Sequence, residues 1–542
     1  MVAAAGVALW LLVDPRTPDL AAQVYRVSLF RHVGFAVWDE HWYAGHALLG
    51  YSLTFPPLAA LLGMRTVAAL SVLVSAGLFE RLVRGLYGEA ARWGTVWFAL
   101  AALADIWIGR LTFALGVAFA VACSLVFLWP EGRGRNRGRG RRLPAPTRGA
   151  DARERKQGWV RGAIVVVLAV LCSASSPVAG LLLALLALTH SLLTRSPRAG
   201  LLVGAPAVAV TVALALLFPE GGWEPYPTTS FLATVAVVVG FLLVLPAGRR
   251  ELRVGALVYL GVCVLSVALQ TPMGANVERY GLLLAAPLLL CALGERSGRF
   301  GPAALAVLCG VAVWTAWGPV RETAAVAGDP STGAAYYVPL QRFLATHGGG
   351  LVRVEVPFTR GHWEAAWLAP SVSLARGWEK QLDTRYDLVL LRHGLTAVGY
   401  RGWLRRQAVS YVALPDVPLD PSSAQEGRLI EHGLPYLREV FSSRHWRVYR
   451  VLRSTPLVQG PGRLTALGHD SFALQARAAG SFLVRIHYTR YWTLTSGAGC
   501  VGPAAGGWTS VDVWRAGNVG VAAHFSLGRA LGGSGSSCSR AR

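Results

Sequence analysis

The sequence predicts a polytopic α-helical membrane protein with a polar C-terminal region of α/β and β-sandwich type. Three observations predict it. Of the 542 residues, 54% are hydrophobic and the mean hydropathy is +0.44, which excludes an ordinary soluble enzyme. Polar breaks divide the apolar sequence up to Trp317 into about eleven runs of near-spanning length. Beyond Trp317 the pattern changes to short alternating stretches separated by Gly-rich turns.

The expected spans run in order. "MVAAAGVALWLLV" lacks a basic start and a cleavage site, so Val2–Val13 reads as a short signal-anchor helix. Thr66–Val83 follows, then Trp93–Ile108 and Leu111–Trp129, a hairpin turned at Gly109 and Arg110. Ala163–Ser175 and Val178–Leu193 are broken at "SSP", where proline favours a turn or kink. Gly200–Phe218, Phe231–Pro246, Val254–Gln270, Tyr280–Leu293 and Pro302–Trp317 complete the set.

The formal net charge of +23 comes almost wholly from arginine, Lys156 and Lys380 being the only lysines. A cytoplasmic N-terminus places "ERLVRGLYGEAAR", "TRSPR", "GRRELR", "GERSGR" and the basic loop 131–162 inside, as the loop-charge rule requires. That loop lacks interleaved aromatics and reads as a disordered topology signal, so no nucleic-acid partner is expected. The odd span count sends the chain after Trp317 outside. The expected organisation is a membrane domain over 1–318 with a first exterior loop at 14–65, an extracytoplasmic α/β domain over 319–454 and a β-sandwich over 455–542. In the α/β domain "LVRVEVP", "YDLVLL", "VSYVALP" and "WRVYRVL" read as strands, and "AAYYVPLQRFLATHG" and "EGRLIEHGLPYLREVF" as helices. An exterior tail would let Cys500 and Cys538 form a disulfide.

Ionisable groups at the outer membrane edge are costly and so are functional candidates. Here they are Asp14, Asp19, Asp39, Glu40, Arg65, Asp105, Arg110, Glu278 and Arg279. Thr17, Pro18 and Asp19 start a helix, with Leu20, Val24 and Val27 on one face and Gln23 and Arg26 on the other, as in a helix on a membrane surface. Arg110 in "IGRLTF" and Arg279 in "NVERYG" offer planar donor forks to a lipid phosphate, or else snorkel or pair with Asp105 and Glu278. In "WDEHWYAGHALLGYSLTFPPLAALLG", Trp38, Trp42, His46 and Tyr51 are candidate sugar contacts or an interfacial belt, and Pro56-Pro57 redirect the chain. His41 and His46 with Asp39 and Glu40 raise a divalent metal, but their spacing is not the i, i+4 ligand pattern and no metal site is assigned. Tyr488, Tyr491 and Trp492 in "HYTRYWTL" fit a β-domain core better than a glycan platform.

An early acid after the first span, the tryptophan-rich "WDEHWYAGH…GYS…FPPLAALLG", "NVERYGLLLAAPLLL" and an exterior C-terminal region together resemble the GT-C class of membrane glycosyltransferases. Within that class the likeness is to large actinobacterial arabinofuranosyltransferase-type proteins, and it covers most of the chain. The resemblance implies a polyprenyl-phosphate sugar donor, a cell-envelope glycan or glycolipid acceptor and a catalytic base in the first exterior loop. Asp19 matches that base best, with Asp14 and Asp39 as further candidates. The tandem Asp-Glu of several members is absent at Asp19, which Leu20 follows, and "WDE" lies later in the loop. A polytopic transporter or lipid flippase is the alternative from another class, although the charges gather at the outer edge rather than the midplane. A non-catalytic glycan-binding relative is the third.

Overall fold

The computed structural model describes residues 1–128, 148–294, 301–532 and 538. Thirteen helices lead the chain: α1 (Val2–Val13), α2 (Pro18–Val33), α3 (Phe55–Leu62), α4 (Met64–Tyr87), α5 (Arg92–Trp107), α6 (Leu111–Leu128), α7 (Arg148–Ser175), α8 (Pro177–Thr194), α9 (Ala205–Leu217), α10 (Thr228–Val244), α11 (Arg250–Ala268), α12 (Glu278–Gly294) and α13 (Pro302–Val326). Eight helical stretches among the described residues are long and apolar enough to cross a membrane, counting Met64–Trp107 as one. The expected first and eighth spans are shorter apolar helices, Val2–Val13 and Thr228–Val244. The hairpin turn falls at Gly109 and Arg110. At the "SSP" break α7 ends on Ser175, and Ser176 caps α8 by accepting from the Ala179 amide.

Two expectations need correction here. The basic loop 131–162 lies outside the described residues as far as 147, but from Arg148 the chain is helical and runs continuously into the apolar part of α7. The stretch "RGADARERKQ" holds three Arg, two Ala and one each of Glu, Lys and Gln, all good helix formers. The second correction concerns α2, which does not lie on a surface: Gln23 and Arg26 are as buried as Leu20 and Val27. Extended Thr17 precedes Pro18 as expected, but its hydroxyl donates to the Trp107 carbonyl (3.0 Å) and not to its own helix.

A small hairpin, β1 (Trp38–Asp39) with β2 (His46–Ala47), and α3 complete the segment between α2 and α4. Pro56 and Pro57 open α3, and Gly63 at φ 89° separates it from α4, so the redirection takes one short helix.

After α13 come α14 (Val338–Gly348), β3 (Arg353–Glu355), α15 (Glu364–Trp367), β4 (Ser373–Leu374), α16 (Lys380–Tyr386), α17 (Leu388–Leu391), α18 (Ala397–Arg406), β5 (Val409–Pro415), α19 (Ala424–Glu431), β6 (Leu437–Ser442) and β7 (Trp446–Val451). These strands form one mixed five-stranded sheet in the order β4-β3-β5-β7-β6. "YDLVLL" is helical, within α16 and α17, and β4 takes the edge position beside β3. "EGRLIEHGLPYLREVF" is helical only to Glu431; Gly433 at φ 82° ends the turn and the remainder enters β6.

The last unit packs two four-stranded antiparallel sheets, with orders β12-β15-β10-β9 and β13-β14-β11-β8. Their strands are β8 (Val458–Gln459), β9 (Gly462–Leu467), β10 (Ser471–Ala476), β11 (Gly480–His487), β12 (Trp492–Ser496), β13 (Gly499–Pro503), β14 (Trp508–Val513) and β15 (Gly517–Ala523). Phe482, Val484 and Ile486 alternate inward from one sheet and Val519, Val521 and Ala523 from the other, as in a sandwich core. Tyr491 and Trp492 belong to that core. Cys500 and Cys538 are disulfide-bonded, their Cα atoms 5.3 Å apart.

Candidate functional site

The site is built where α2 begins against the α5–α6 turn. Gly109 sits at φ 88°, and a Cβ there would stand 2.4 Å from the Leu20 nitrogen and 2.8 Å from the Asp19 carbonyl carbon. Only glycine allows this approach, which sets Asp19 beside Arg110. Arg110 then lies between two carboxylates, its Nε 3.8 Å from Asp19 and its Nη1 3.7 Å from Asp105. The Asp19 side chain is 39% exposed against 12% for Asp105, so Asp19 is the carboxylate that solvent reaches.

Arg279, in the first turn of α12, joins the same electrostatic cluster with Arg110, Asp19, Asp105 and Tyr51. Its Nη2 donates to Asn276 at 2.5 Å, and its guanidinium carbon stands 5.3 Å from the centre of the Phe113 ring. The Nε atoms of Arg110 and Arg279 are both buried without a hydrogen-bond partner among the described residues. Two guanidinium groups with unmet donors beside an exposed carboxylate suit an anionic ligand held next to a second group whose proton the carboxylate can accept. Glu278 accepts from Thr234 at 3.5 Å and feels Arg110. The Tyr51 hydroxyl accepts from Gln23 (3.0 Å), and its ring lies 3.7 Å from the Arg26 guanidinium.

Two residues join the cluster that the sequence reading missed. Glu224, in the loop before α10, is pushed up by burial, a shift opposed by Lys380, Arg279 and Arg110. The loop is held from both sides: Trp223 exchanges two hydrogen bonds with the Thr384 hydroxyl (3.1 and 2.7 Å), and the Glu224 amide donates to Thr271. Lys380 opens α16 above it. The signal for Lys380 was its rarity, one of two lysines in the chain; Glu224 stood in an outer loop with no partner in sequence.

Below the cluster the helices enclose an apolar cavity of about 310 Å³. Phe113 and Tyr280, neighbours of Arg279, line one end, and Phe79, Val117 and Leu283 are among its walls.

The other predicted residues lie elsewhere. Asp14 pairs with Arg16 at 3.4 Å and, more closely, with Arg65. Asp39 is fully enclosed: it accepts from the Tyr25 hydroxyl (2.8 Å) and the His41 amide (3.2 Å) and pairs with His469 (3.1 Å). Burial alone would raise its carboxyl, but the His469 hydrogen bond and the nearby histidines outweigh burial and hold it below the ordinary range. Trp42 is buried, stacked on Tyr25 at 4.5 Å, and donates to the Ala365 carbonyl. His46 stacks on Trp42 and burial pulls it down to about 4. Trp38 packs edge-on against Trp492 in the sandwich. In this structure Trp38, Trp42 and His46 are core: Trp492 covers Trp38, Ala365 and Gly377 cover Trp42, and His46 is enclosed by its own loop through Asp39, Trp42 and Tyr43. Glu40 pairs with buried Arg353 at 2.7 Å, and burial pushes its carboxyl up to about 7.

The only metal-spaced group among the described residues is Cys500, Asp512 and Cys538, and a disulfide ties its two sulfurs. No protein-family model matches the chain, and no curated protein matches it. Among solved structures, two classes of a mutant arabinofuranosyltransferase AftD from mycobacteria align over 97% of this chain at 17% identity, with TM-scores of 0.44 and 0.42. The chain spans 41% of the length of those structures.

Proposed function

We propose that the chain is a membrane glycosyltransferase of GT-C type that moves a sugar from a polyprenyl phosphate to a cell-envelope glycan or glycolipid. The observation that carries this reading is the exposed Asp19 carboxylate beside two cations, Arg110 and Arg279, at the end of an apolar cavity. A carboxylate at that place takes the proton of an attacking acceptor hydroxyl as its oxygen bonds to the anomeric carbon. The carbon–oxygen bond to phosphate breaks, the electron pair leaves with the phosphate, and Arg110 and Arg279 meet the growing charge. The isoprenoid tail occupies the cavity below Phe113. Asp105 holds Arg110 in place, and Tyr51 and Glu278 border the sugar. Asp14 and Asp39, engaged by Arg65 and by His469 and Tyr25, serve the scaffold in this reading.

The disulfide supports a C-terminal region in an oxidising, extracytoplasmic compartment, comprising an α/β domain over 319–454 and the sandwich over 455–542, with the N-terminus cytoplasmic. The test is release of free polyprenyl phosphate from a panel of polyprenyl-phosphate sugars by the purified chain in nanodiscs with envelope glycan acceptors. Asp19→Asn lowers the rate by about 10²–10⁴-fold while donor binding persists. Release that survives in Asp19→Asn removes the base assignment, and no release from any donor by folded wild type removes the reading.

A further inference from the structure

The sandwich is fixed against the end of one membrane-length helix. Gly200–Leu217 is long and apolar enough to cross a bilayer, and α9 is its last part. Val208, Val212 and Leu216 are exposed at successive turns of α9 and form one apolar stripe that runs to the end of the helix. At that end the Tyr491 hydroxyl of the sandwich donates to the Leu217 carbonyl (2.7 Å), and the Phe218 ring lies 5.8 Å from that of Tyr491 and 5.9 Å from that of Phe525. Leu214 and Phe218 share one hydrophobic cluster with Tyr491, Trp492 and Ala530.

The segment that follows β15 therefore lies at the level where α9 leaves the bilayer. It is held from within. The His524 amide donates to the Tyr491 carbonyl (3.0 Å), and a single helical turn, α20 (Leu527–Ala530), is tied down at both edges. Arg490 donates to the Ala530 carbonyl and Arg529 to the Trp492 carbonyl, each at 2.9 Å. Ala530 is buried by these contacts, while Phe525, Leu527 and Leu531 are 49%, 61% and 79% exposed. Three large apolar side chains bared on an anchored turn, next to aromatic rings and two arginines, are the pattern of a segment that lies in a membrane interface. Trp514 supplies the contrast. It is just as exposed, but it stands in the turn before β15, at the opposite end of that strand and about 20 Å from the membrane level.

We propose that Phe525–Leu531 is an interfacial anchor that inserts Phe525, Leu527 and Leu531 into the lipid leaflet at the C-terminal end of α9, with Arg490 and Arg529 among the headgroups. The occupant is lipid because the exposed segment continues the apolar stripe of α9 that ends at Leu216. The inference needs α9 to cross the membrane and does not depend on the transferase reading. The anchor holds the sandwich at a fixed height, and with it His469, the partner of Asp39.

The test places an environment-sensitive nitrobenzoxadiazole dye on single cysteines, Leu527→Cys, Leu531→Cys and Trp514→Cys, in the full chain with Cys309→Ser and the Cys500–Cys538 disulfide intact. Cys123, Cys172, Cys263 and Cys291 are buried and do not compete for the dye. All three labelled positions are exposed, so the dye displaces no packing. The protein is reconstituted in phosphatidylcholine nanodiscs whose acyl chains carry a nitroxide near the glycerol. Dyes at positions 527 and 531 should emit at shorter wavelength than the dye at 514 and lose about half or more of their emission to the nitroxide, the response to a depth of about 5–10 Å. An equal response at all three positions overturns the proposal. So does a shortened wavelength at 527 and 531 that the nitroxide leaves undimmed, because a second copy or another protein surface then covers the segment.

Discussion

Asp39 and His469 show how two residues far apart in sequence set each other's protonation. The carboxyl is held below its ordinary value of 3.8, chiefly by the His469 hydrogen bond acting against burial. His469 is raised above 6.5, because the Asp39 hydrogen bond and charge, with Glu40 and Asp470, outweigh its burial. The lowered carboxyl contributes stability that is present above its unfolded value and lost as pH falls through its folded value. The raised histidine contributes stability that is complete below 6.5 and lost as pH rises through its folded value. The pair therefore acts between those limits. Asp39→Asn lowers the thermal midpoint most near about pH 6, and the difference from wild type shrinks as the pH rises above 6.5 and His469 loses its proton. A deficit that stays constant across that range in thermal unfolding contradicts the pairing. Tyr25, His41 and His46 surround the same carboxylate, and burial pulls His41 and His46 down to about 4, so of these histidines His469 is the one held above its ordinary value.

Elements position what residues do. The start of α2 rests on the α5–α6 turn through Gly109, and any side chain there must push Asp19 away from Arg110. Gly109→Ala adds a Cβ at φ 88°, with a backbone strain of about 1 kcal/mol or more and a shift of about 1 Å at Asp19, the proposed base, for which a rate loss of about 10²-fold is the expected scale. The release assay reads the rate and the thermal midpoint reads the strain; a variant with an unchanged rate refutes the positioning role of that turn. The turn itself was legible, since two apolar runs separated by a Gly-Arg pair leave little other choice. So were the "SSP" break and the sandwich strands, whose period of two survives in the alternation of Phe482, Val484 and Ile486. "YDLVLL" misled because its apolar run suits either a strand or a buried helix, and Trp403, donating to Asp387 at 2.9 Å, belongs to a helix not yet placed. The aromatics of the first loop misled for a related reason: Trp42 is buried by Ala365 and Gly377, more than 300 residues away, so its environment depends on tertiary packing. Asp19, Arg110 and Arg279 could be picked out singly by charge at a membrane edge, whereas Glu224 required the fold to bring its loop onto α16.

At the scale of the whole chain, α2 is the member that every unit grips. The helical part holds it at Thr17 through the Trp107 carbonyl. The five-stranded unit holds the same segment through Trp363, which donates to the Arg16 carbonyl at 3.0 Å, and through the buried pair of Arg26 with Glu379. The sandwich reaches Tyr25 and Asp39 through His469, and Glu40 crosses to Arg353. The Arg26–Glu379 and Glu40–Arg353 pairs are buried on both sides, so breaking either leaves a polar group in a site that water does not reach. The consequence is mechanical unity: the C-terminal region and the helices should lose structure together. Glu379→Gln removes the closest countercharge of Arg26, whose guanidinium keeps the faces of Tyr51 and Trp42 and the charge of Glu220, and the expected cost is about 3–5 kcal/mol. Scanning calorimetry in detergent should show one transition in wild type and one lower transition in the variant. If the variant instead splits into two transitions, with one fixed at the wild-type midpoint, the units are independent and the grip on α2 is local. The same variant joins stability to chemistry, because a loosened α2 carries Asp19 at its first turn. Release of polyprenyl phosphate should therefore slow in Glu379→Gln below its melting point, although Arg26, the partner of Glu379, stands seven residues along α2 from Asp19, the proposed base.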